Sequence, residues 1–156
     1  MSVAPVVSTV SVKAKPGRAF ELFVNHMVRW WTTCNFSENP PVAIVVEPKA
    51  GGRWYERDAR GHESEWGIVL SYEPPHRLLL GWKFDADFKY DPDILTEVEL
   101  SFKANAAGGT DVRLEHRNLE RFGVDAARVA SRIGGGWPTL MNSFATHADQ
   151  YENQEV

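Results

Sequence analysis

Between Val42 and His116 the apolar residues follow a mostly period-two pattern, and in the C-terminal forty residues they switch to a period of 3.6. Val98, Leu100 and Phe102 alternate with Glu97, Glu99, Ser101 and Lys103, and Val112, Leu114 and His116 alternate with Asp111, Arg113 and Glu115. Alternation of this kind gives a strand one covered and one wet face. A chain with several such strands and then a helical stripe has to lay that stripe on the covered face.

The remaining segments fit the same plan. Val6, Val10 and Val12 mark an opening strand, which Pro16-Gly17 stops. Phe20, Phe23, Val24 and Met27 then fall at helical spacing, and this helix runs into Trp30-Trp31 and a loop closed by Pro40-Pro41. Val42, Ile44 and Val46 share a strand face; Gly51-Gly52 turns into Arg53–Arg57, and Asp58-Ala59-Arg60-Gly61 signals a hairpin into Trp66–Leu70. Glu73-Pro74-Pro75 breaks that strand. Leu78, Leu80, Trp82 and Phe84 form the next, an Asp-rich loop covers Asp85–Asp93, and Asn105–Gly109 turns between the last two strands. A helical piece from Asp125 to Ile133 precedes Gly134-Gly135-Gly136, which is expected to break or kink the helical region. Pro138 would then open the final helix, with Leu140, Met141, Phe144 and Ala148 as its apolar stripe. The expected class is α+β, a curved antiparallel sheet of about seven strands wrapped around a C-terminal helix, in one domain over residues 1–156.

Several function classes drop out. Seventeen Lys+Arg against twenty-one Asp+Glu give a net charge of −4 with no basic run, so no nucleic-acid partner is expected. No apolar run reaches membrane length and no basic, apolar leader opens the chain, so neither a membrane partner nor secretion is expected. The one cysteine, Cys34, makes no internal disulfide and suits a cytoplasmic location. It reads as a reactive thiol or as a small loop residue. The five histidines show no metal spacing, and GxSxG, P-loop and GxGxxG patterns do not occur, so no metal and no cofactor is expected. Asn35-Phe36-Ser37 matches a glycosylation sequon by chance, and the triple glycine reads as a hinge before an anion site.

One resemblance is specific. The helix ending in Trp30-Trp31, the run Glu47-Pro48-Lys49-Ala50-Gly51-Gly52-Arg53-Trp54-Tyr55-Glu56, and the segments Trp66–Leu70, Glu73–Leu78, Thr96-Glu97-Val98, Gly109-Thr110 and Gly136-Trp137-Pro138 are similar to the activator of heat-shock-protein ATPase homologue-like (AHSA-like) family. That family belongs to the START-like SRPBCC superfamily. The resemblance runs from about Val6 to Asp149 in the family's order. It implies the helix-grip fold and a deep, largely apolar cavity between the sheet and the last helix. It does not choose a reaction, since relatives include lyases, cyclases, hydroxylase domains, lipid carriers and chaperone accessories. Thr32 follows the tryptophan pair where familiar members have Pro, so that loop departs from the pattern.

Strand parity puts Trp54 and Glu56 on one face and Arg53, Tyr55 and Arg57 on the other. Trp66 and Trp82 belong to the apolar faces of their strands, and His116 sits with Val112 and Leu114. The expected ligand-binding set is therefore Trp30, Trp54, Glu56, Trp66, Trp82, His116 and Phe144. Glu56 either faces a ligand, or belongs to a structural ion pair, or has its parity reset by a bulge after Gly52. His116 is either a satisfied core histidine or a ligand contact, and Trp30-Trp31 either a rim beside the pocket or an anchor. Three functions compete. The first is binding of a small hydrophobic or amphipathic molecule. The second is a metal-independent cyclase, dehydratase or hydrolase type of enzyme with Glu56 and His116 as base and acid. The third is a chaperone-accessory role, for which only the family name speaks. The oligomeric state is not legible; a homodimer is compatible with the sequence.

Overall fold

The computed structural model describes residues 3–32, 36 and 39–152. Cys34, and Asn35 and Ser37 of the sequon, lie outside the described residues. Strand β1 (Val6–Val12) leads to α1 (Pro16–Asn25) and α2 (Met27–Trp30). Strands β2 (Pro41–Val46), β3 (Arg53–Asp58), β4 (Glu63–Glu73), β5 (Arg77–Trp82), β6 (Thr96–Ala104) and β7 (Thr110–Arg117) follow. A 3-10 segment (Leu119–Asp125) then opens into α3 (Ala126–Tyr151). The strands form one antiparallel sheet in the order β1-β7-β6-β5-β4-β3-β2, curled as a half-barrel around α3.

Register follows the alternation. Val98 pairs with His116, Leu100 with Leu114 and Phe102 with Val112, and all six are buried. On the outer face Arg117 meets Glu97 at 2.9 Å and Glu99 at 2.7 Å. Arg53 meets Glu63 at 2.9 Å and Glu65 at 2.5 Å. Such half-exposed pairs contribute under about 1 kcal/mol each, so the buried inner face holds the sheet.

Two bulges in β4 produce the curl. Trp54 pairs with Gly67 and Tyr55 with Glu65, which leaves Trp66 as a surplus residue, and Leu70 is surplus on the β5 side. A bulge bends its strand and increases the local twist. Gly67 is required here, because an added Cβ would lie 1.8 Å from the Gly81 carbonyl oxygen.

The helices depart from expectation in two places. His26 leaves the helical conformation (φ −106°, ψ 17°) and divides the expected first helix into α1 and α2. In the opposite sense, Gly134-Gly135-Gly136 breaks nothing, and Pro138 lies inside α3 rather than at its start. Val129 and Ile133 before the glycines, and Trp137, Leu140, Met141, Phe144 and Ala148 after them, are all buried at helical spacing. Packing on both sides outweighs a helical cost of about 1 kcal/mol per glycine.

A histidine pair joins α1 to α3, His26 Nδ1 lying 2.7 Å from His147 Nε2. Burial, with Arg29 nearby, holds both imidazoles below the usual histidine pKa.

Candidate functional site

The inner wall begins on β3. Trp54 and Glu56 share its inward face, as their parity requires, and are 0% and 2% exposed. Tyr55 on the other face is covered as well, because the Arg53 guanidinium lies over its ring at 3.8 Å. The bulge brings Trp66 to Glu56, and its Nε1 donates to Glu56 Oε1 at 2.9 Å. The buried carboxylate is thus held by an indole N–H from the neighbouring strand.

The far end of the wall is His116 on β7, fully buried. Trp137 on α3 donates from Nε1 to His116 Nδ1 at 3.1 Å, and His116 Nε2 lies 2.8 Å from Thr96 Oγ1. An indole only donates, so Nδ1 is the bare nitrogen and the ring proton sits on Nε2, donated to Thr96. Burial pushes the His116 pKa down to about 3. A proton on Nδ1 would set two N–H groups against each other, so the ring is neutral and ties β6, β7 and α3 together.

Glu56 and His116 do not form a hydrogen-bonded acid–base pair. A path of rings separates them: Trp66 to Trp54 at 5.4 Å between centroids, Trp54 to Trp82 at 6.0 Å, and Trp82 to His116 at 5.2 Å. Those rings occupy the space where a deep cavity was expected. What stays open is a void of about 50 Å³ between β5, α3, Phe36 and the 85–93 loop. That is room for a few waters, well below the roughly 300–1,000 Å³ of a ligand pocket. Hollows of about 350 to 480 Å³ elsewhere lie outside the aromatic cluster, for example along α1 and β2.

The void is ringed by Trp31, Phe36, Trp82, Phe88 and Trp137, with Ile133, Gly136 and Leu140 below and Arg132 at the mouth. Phe36 lines one side of it, stacked on Phe84 at 4.0 Å and set edge-on to Trp82 at 5.8 Å. Of the seven expected site residues only Trp82 borders this space. Trp54, Glu56, Trp66 and His116 stand behind it in the wall. Trp30 and Phe144 belong instead to the core under α1: Trp30 donates to the Phe23 carbonyl at 3.2 Å, and both rings pack on Phe23. Adjacent residues at a helix end point about 100° apart, so when Trp30 enters the core it is Trp31 that reaches the sheet. Trp31 packs on Trp66 at 4.8 Å and on Trp137 at 5.5 Å. Trp137 was legible, since Ile133, Trp137 and Leu140 recur at helical spacing, but reading the glycines as a break hid it. Phe36 and Phe88 sit in segments without periodicity and carried no signal.

Three indoles, those of Trp30, Trp66 and Trp137, donate to an acceptor. Those of Trp31, Trp54 and Trp82 are buried with no hydrogen-bond partner among the described residues. An unmade bond at a buried donor costs about 1–3 kcal/mol, so natural cores leave few of them. Two of the three, Trp31 and Trp82, flank the void. Among the described residues no group of three or more His, Cys, Asp or Glu could hold a metal ion.

The comparisons identify the fold and the family. No curated protein matches the chain. Among solved structures, the chain is 33% identical to the anthrahydroquino-gamma-pyrone synthase Txn09, complexed with SUM, with a TM-score of 0.64 over 93% of this chain and 97% of that one. It is 29% identical to CalC of Micromonospora echinospora, described as a self-sacrificing resistance protein, with a TM-score of 0.71 over 97% and 98%. Protein MLL2253 of Mesorhizobium loti shares the fold at 19% identity, with a TM-score of 0.68 over 97% and 99%. No helix is long and apolar enough to cross a membrane among the described residues. The family model described as Activator of Hsp90 ATPase homolog 1-like protein matches residues 13–149, and the chain belongs to that family.

Proposed function

We propose that this chain is a single cytoplasmic domain that binds a flat, largely apolar small molecule in the cleft between β5, α3 and the 85–93 loop. The observation that carries this reading is the aromatic ring of Trp31, Phe36, Trp82, Phe88 and Trp137 around the void, two of whose indoles, Trp31 and Trp82, have a buried N–H with no hydrogen-bond partner among the described residues. A core built only for stability would satisfy those donors or replace them with Phe and Leu. The likeness at 33% identity to a synthase complexed with SUM supports the same reading. The void is small, so a larger ligand is admitted only as the rings that line it move outward.

A second reading keeps Glu56. A buried carboxylate on an aromatic wall could remove a proton from a bound carbonyl compound without a metal. His116 would then act by holding Trp137, not as the acid.

The test is a titration with 2-naphthol, followed by tryptophan fluorescence and by melting temperature. Saturable one-to-one quenching should come with a rise in melting temperature, because a ligand that binds only the native state stabilises it. Gly136→Leu should abolish both, since Gly136 borders the void and an added Cβ there meets nothing within 4 Å. Absence of binding, or binding indifferent to Gly136→Leu in a variant that still folds, would overturn the proposal.

A further inference from the structure

All six tryptophans of the chain lie in one connected cluster. Ring centroids are 5.8 Å apart from Trp30 to Trp31, 4.8 Å from Trp31 to Trp66 and 5.4 Å from Trp66 to Trp54. The path continues from Trp54 to Trp82 at 6.0 Å, from Trp82 to Trp137 at 5.8 Å, and back from Trp137 to Trp31 at 5.5 Å. Indole is among the most easily oxidised side chains, and rings this close exchange an electron readily. An electron vacancy created on one ring is therefore open to all six. The proton decides where it stops. Oxidised indole is a strong N–H acid, so the vacancy is trapped on the ring whose N–H faces a base.

The six N–H groups differ in what they face. Those of Trp31, Trp54 and Trp82 have no hydrogen-bond partner among the described residues, so these rings pass a vacancy on without releasing a proton. Trp30 donates to the Phe23 amide carbonyl, which takes up no proton near neutral pH. Trp137 donates to His116 Nδ1, and burial holds that imidazole neutral, with its pKa at about 3. Among the six, Trp66 alone donates to a carboxylate, that of Glu56, at 2.9 Å.

We propose that the tryptophan cluster is a one-electron relay that collects an oxidising equivalent at the void and deposits it on Trp66, with Glu56 as the proton acceptor. The oxidant class is an alkoxyl or peroxyl radical, which meets Trp31, Trp82 or Trp137 where they border the void. The radical takes one electron from that indole and one proton from solvent, and becomes an alcohol or a hydroperoxide. The vacancy crosses to Trp66, drawn by the negative charge of Glu56. There the N–H bond breaks, the proton goes to Glu56 Oε1, and a neutral Trp66 radical remains. A thiolate in solution resets the relay: it gives one electron to Trp66 and becomes a thiyl radical, while Glu56 returns the proton. The relay needs no ligand in the cleft and stands apart from the binding reading.

Pulse radiolysis with the azide radical, which takes one electron and becomes azide, starts the relay in the unaltered protein and in Glu56→Gln. Glutamine keeps an acceptor oxygen for Trp66 but is no base. In the unaltered protein the neutral tryptophanyl spectrum should appear at a rate indifferent to buffer concentration. In Glu56→Gln the radical cation should persist about a hundredfold longer, the lower end of what a positioned proton acceptor contributes, and its decay should quicken with added buffer. Peptide mapping after exposure to peroxyl radicals gives a second readout. Oxidation should reach Trp66, 1% exposed, ahead of Trp31 at 7% and Tyr90 at 42%, and Glu56→Gln should reverse that order. If Glu56→Gln does not fold, the order of oxidation in the unaltered protein decides the point. Equal radical-cation lifetimes in the two proteins, or oxidation that follows exposure in the unaltered one, would overturn the proposal.

Discussion

At the scale of single residues, strand parity alone identified Glu56 and His116 as inward-facing, and both are buried. Their partners were not legible, because neither comes from the alternation. Trp66 reaches Glu56 through a bulge that period two cannot show, and Trp137 reaches His116 from a helix placed by tertiary packing. His116→Phe should lower unfolding free energy by about 2 kcal/mol, since it strands the Trp137 N–H and the Thr96 hydroxyl in the core. Glu56→Gln keeps an oxygen that can accept from Trp66 and should cost under about 1 kcal/mol from that contact. The two lie on β3 and β7 with three strands between them, so the double variant should be additive within about 0.5 kcal/mol in urea unfolding. Strong coupling would instead mean that Glu56 and His116 act as one unit, and would revive the acid–base pair.

Whole elements show where sequence and packing disagree. All seven strands and the order of the helices follow from periodicity, because buried positions alternate with more exposed ones, most plainly in β1, β6 and β7. The continuity of α3 does not, because local propensity says break and burial on both flanks says continue. Gly135 is exposed and an added Cβ there meets nothing. Gly135→Ala should therefore stabilise the protein by about 0.5–1 kcal/mol, a rise of roughly 2–3 °C in melting temperature for a chain of this length. Gly136→Ala should give a similar rise but weaken 2-naphthol binding, since Gly136 borders the void and Gly135 does not. Equal binding by the two variants would contradict the placement of the ligand against α3. Gly67 behaves in the opposite way. A Cβ 1.8 Å from the Gly81 oxygen forces β4 and β5 apart where Trp66 is seated, so Gly67→Ala should cost roughly 3–5 kcal/mol or prevent folding. Its denaturation midpoint, set beside that of Gly135→Ala, checks both signs.

For the molecule as a whole, three buried or half-buried imidazoles sit on the seams that hold α3: His116 towards the sheet, and His26 with His147 towards α1. Burial is the first cause that lowers all three pKa values, and for His26 and His147 nearby Arg29 adds to it. A second proton on the His26–His147 pair leaves no lone pair between the rings. A depressed histidine pKa means that below pH 6.5 the unfolded chain takes up protons that the folded chain refuses. Stability from these groups is therefore fully present above about pH 6.5 and falls with the pH, by up to about 1.4 kcal/mol per pH unit for each such proton. For His116 the loss continues down to its folded pKa of about 3. Carboxylates add a second loss of the same sign at lower pH. Glu63 is held below its usual range by Arg53, Glu73 by Ser71 and Arg77, and Asp111 by Ser11 and Asn105, so their contributions disappear as they are protonated. Urea unfolding between pH 7.5 and 4.5 should give a plateau above about pH 7 and a steady decline below 6.5. His147→Phe should make the decline below 6.5 shallower, and His116→Phe should make it shallower across the whole range from 6.5 to 4.5. A stability curve level from pH 7.5 to 5 would mean that the imidazoles titrate alike in folded and unfolded chains, and that burial at the α3 seams does not hold them neutral.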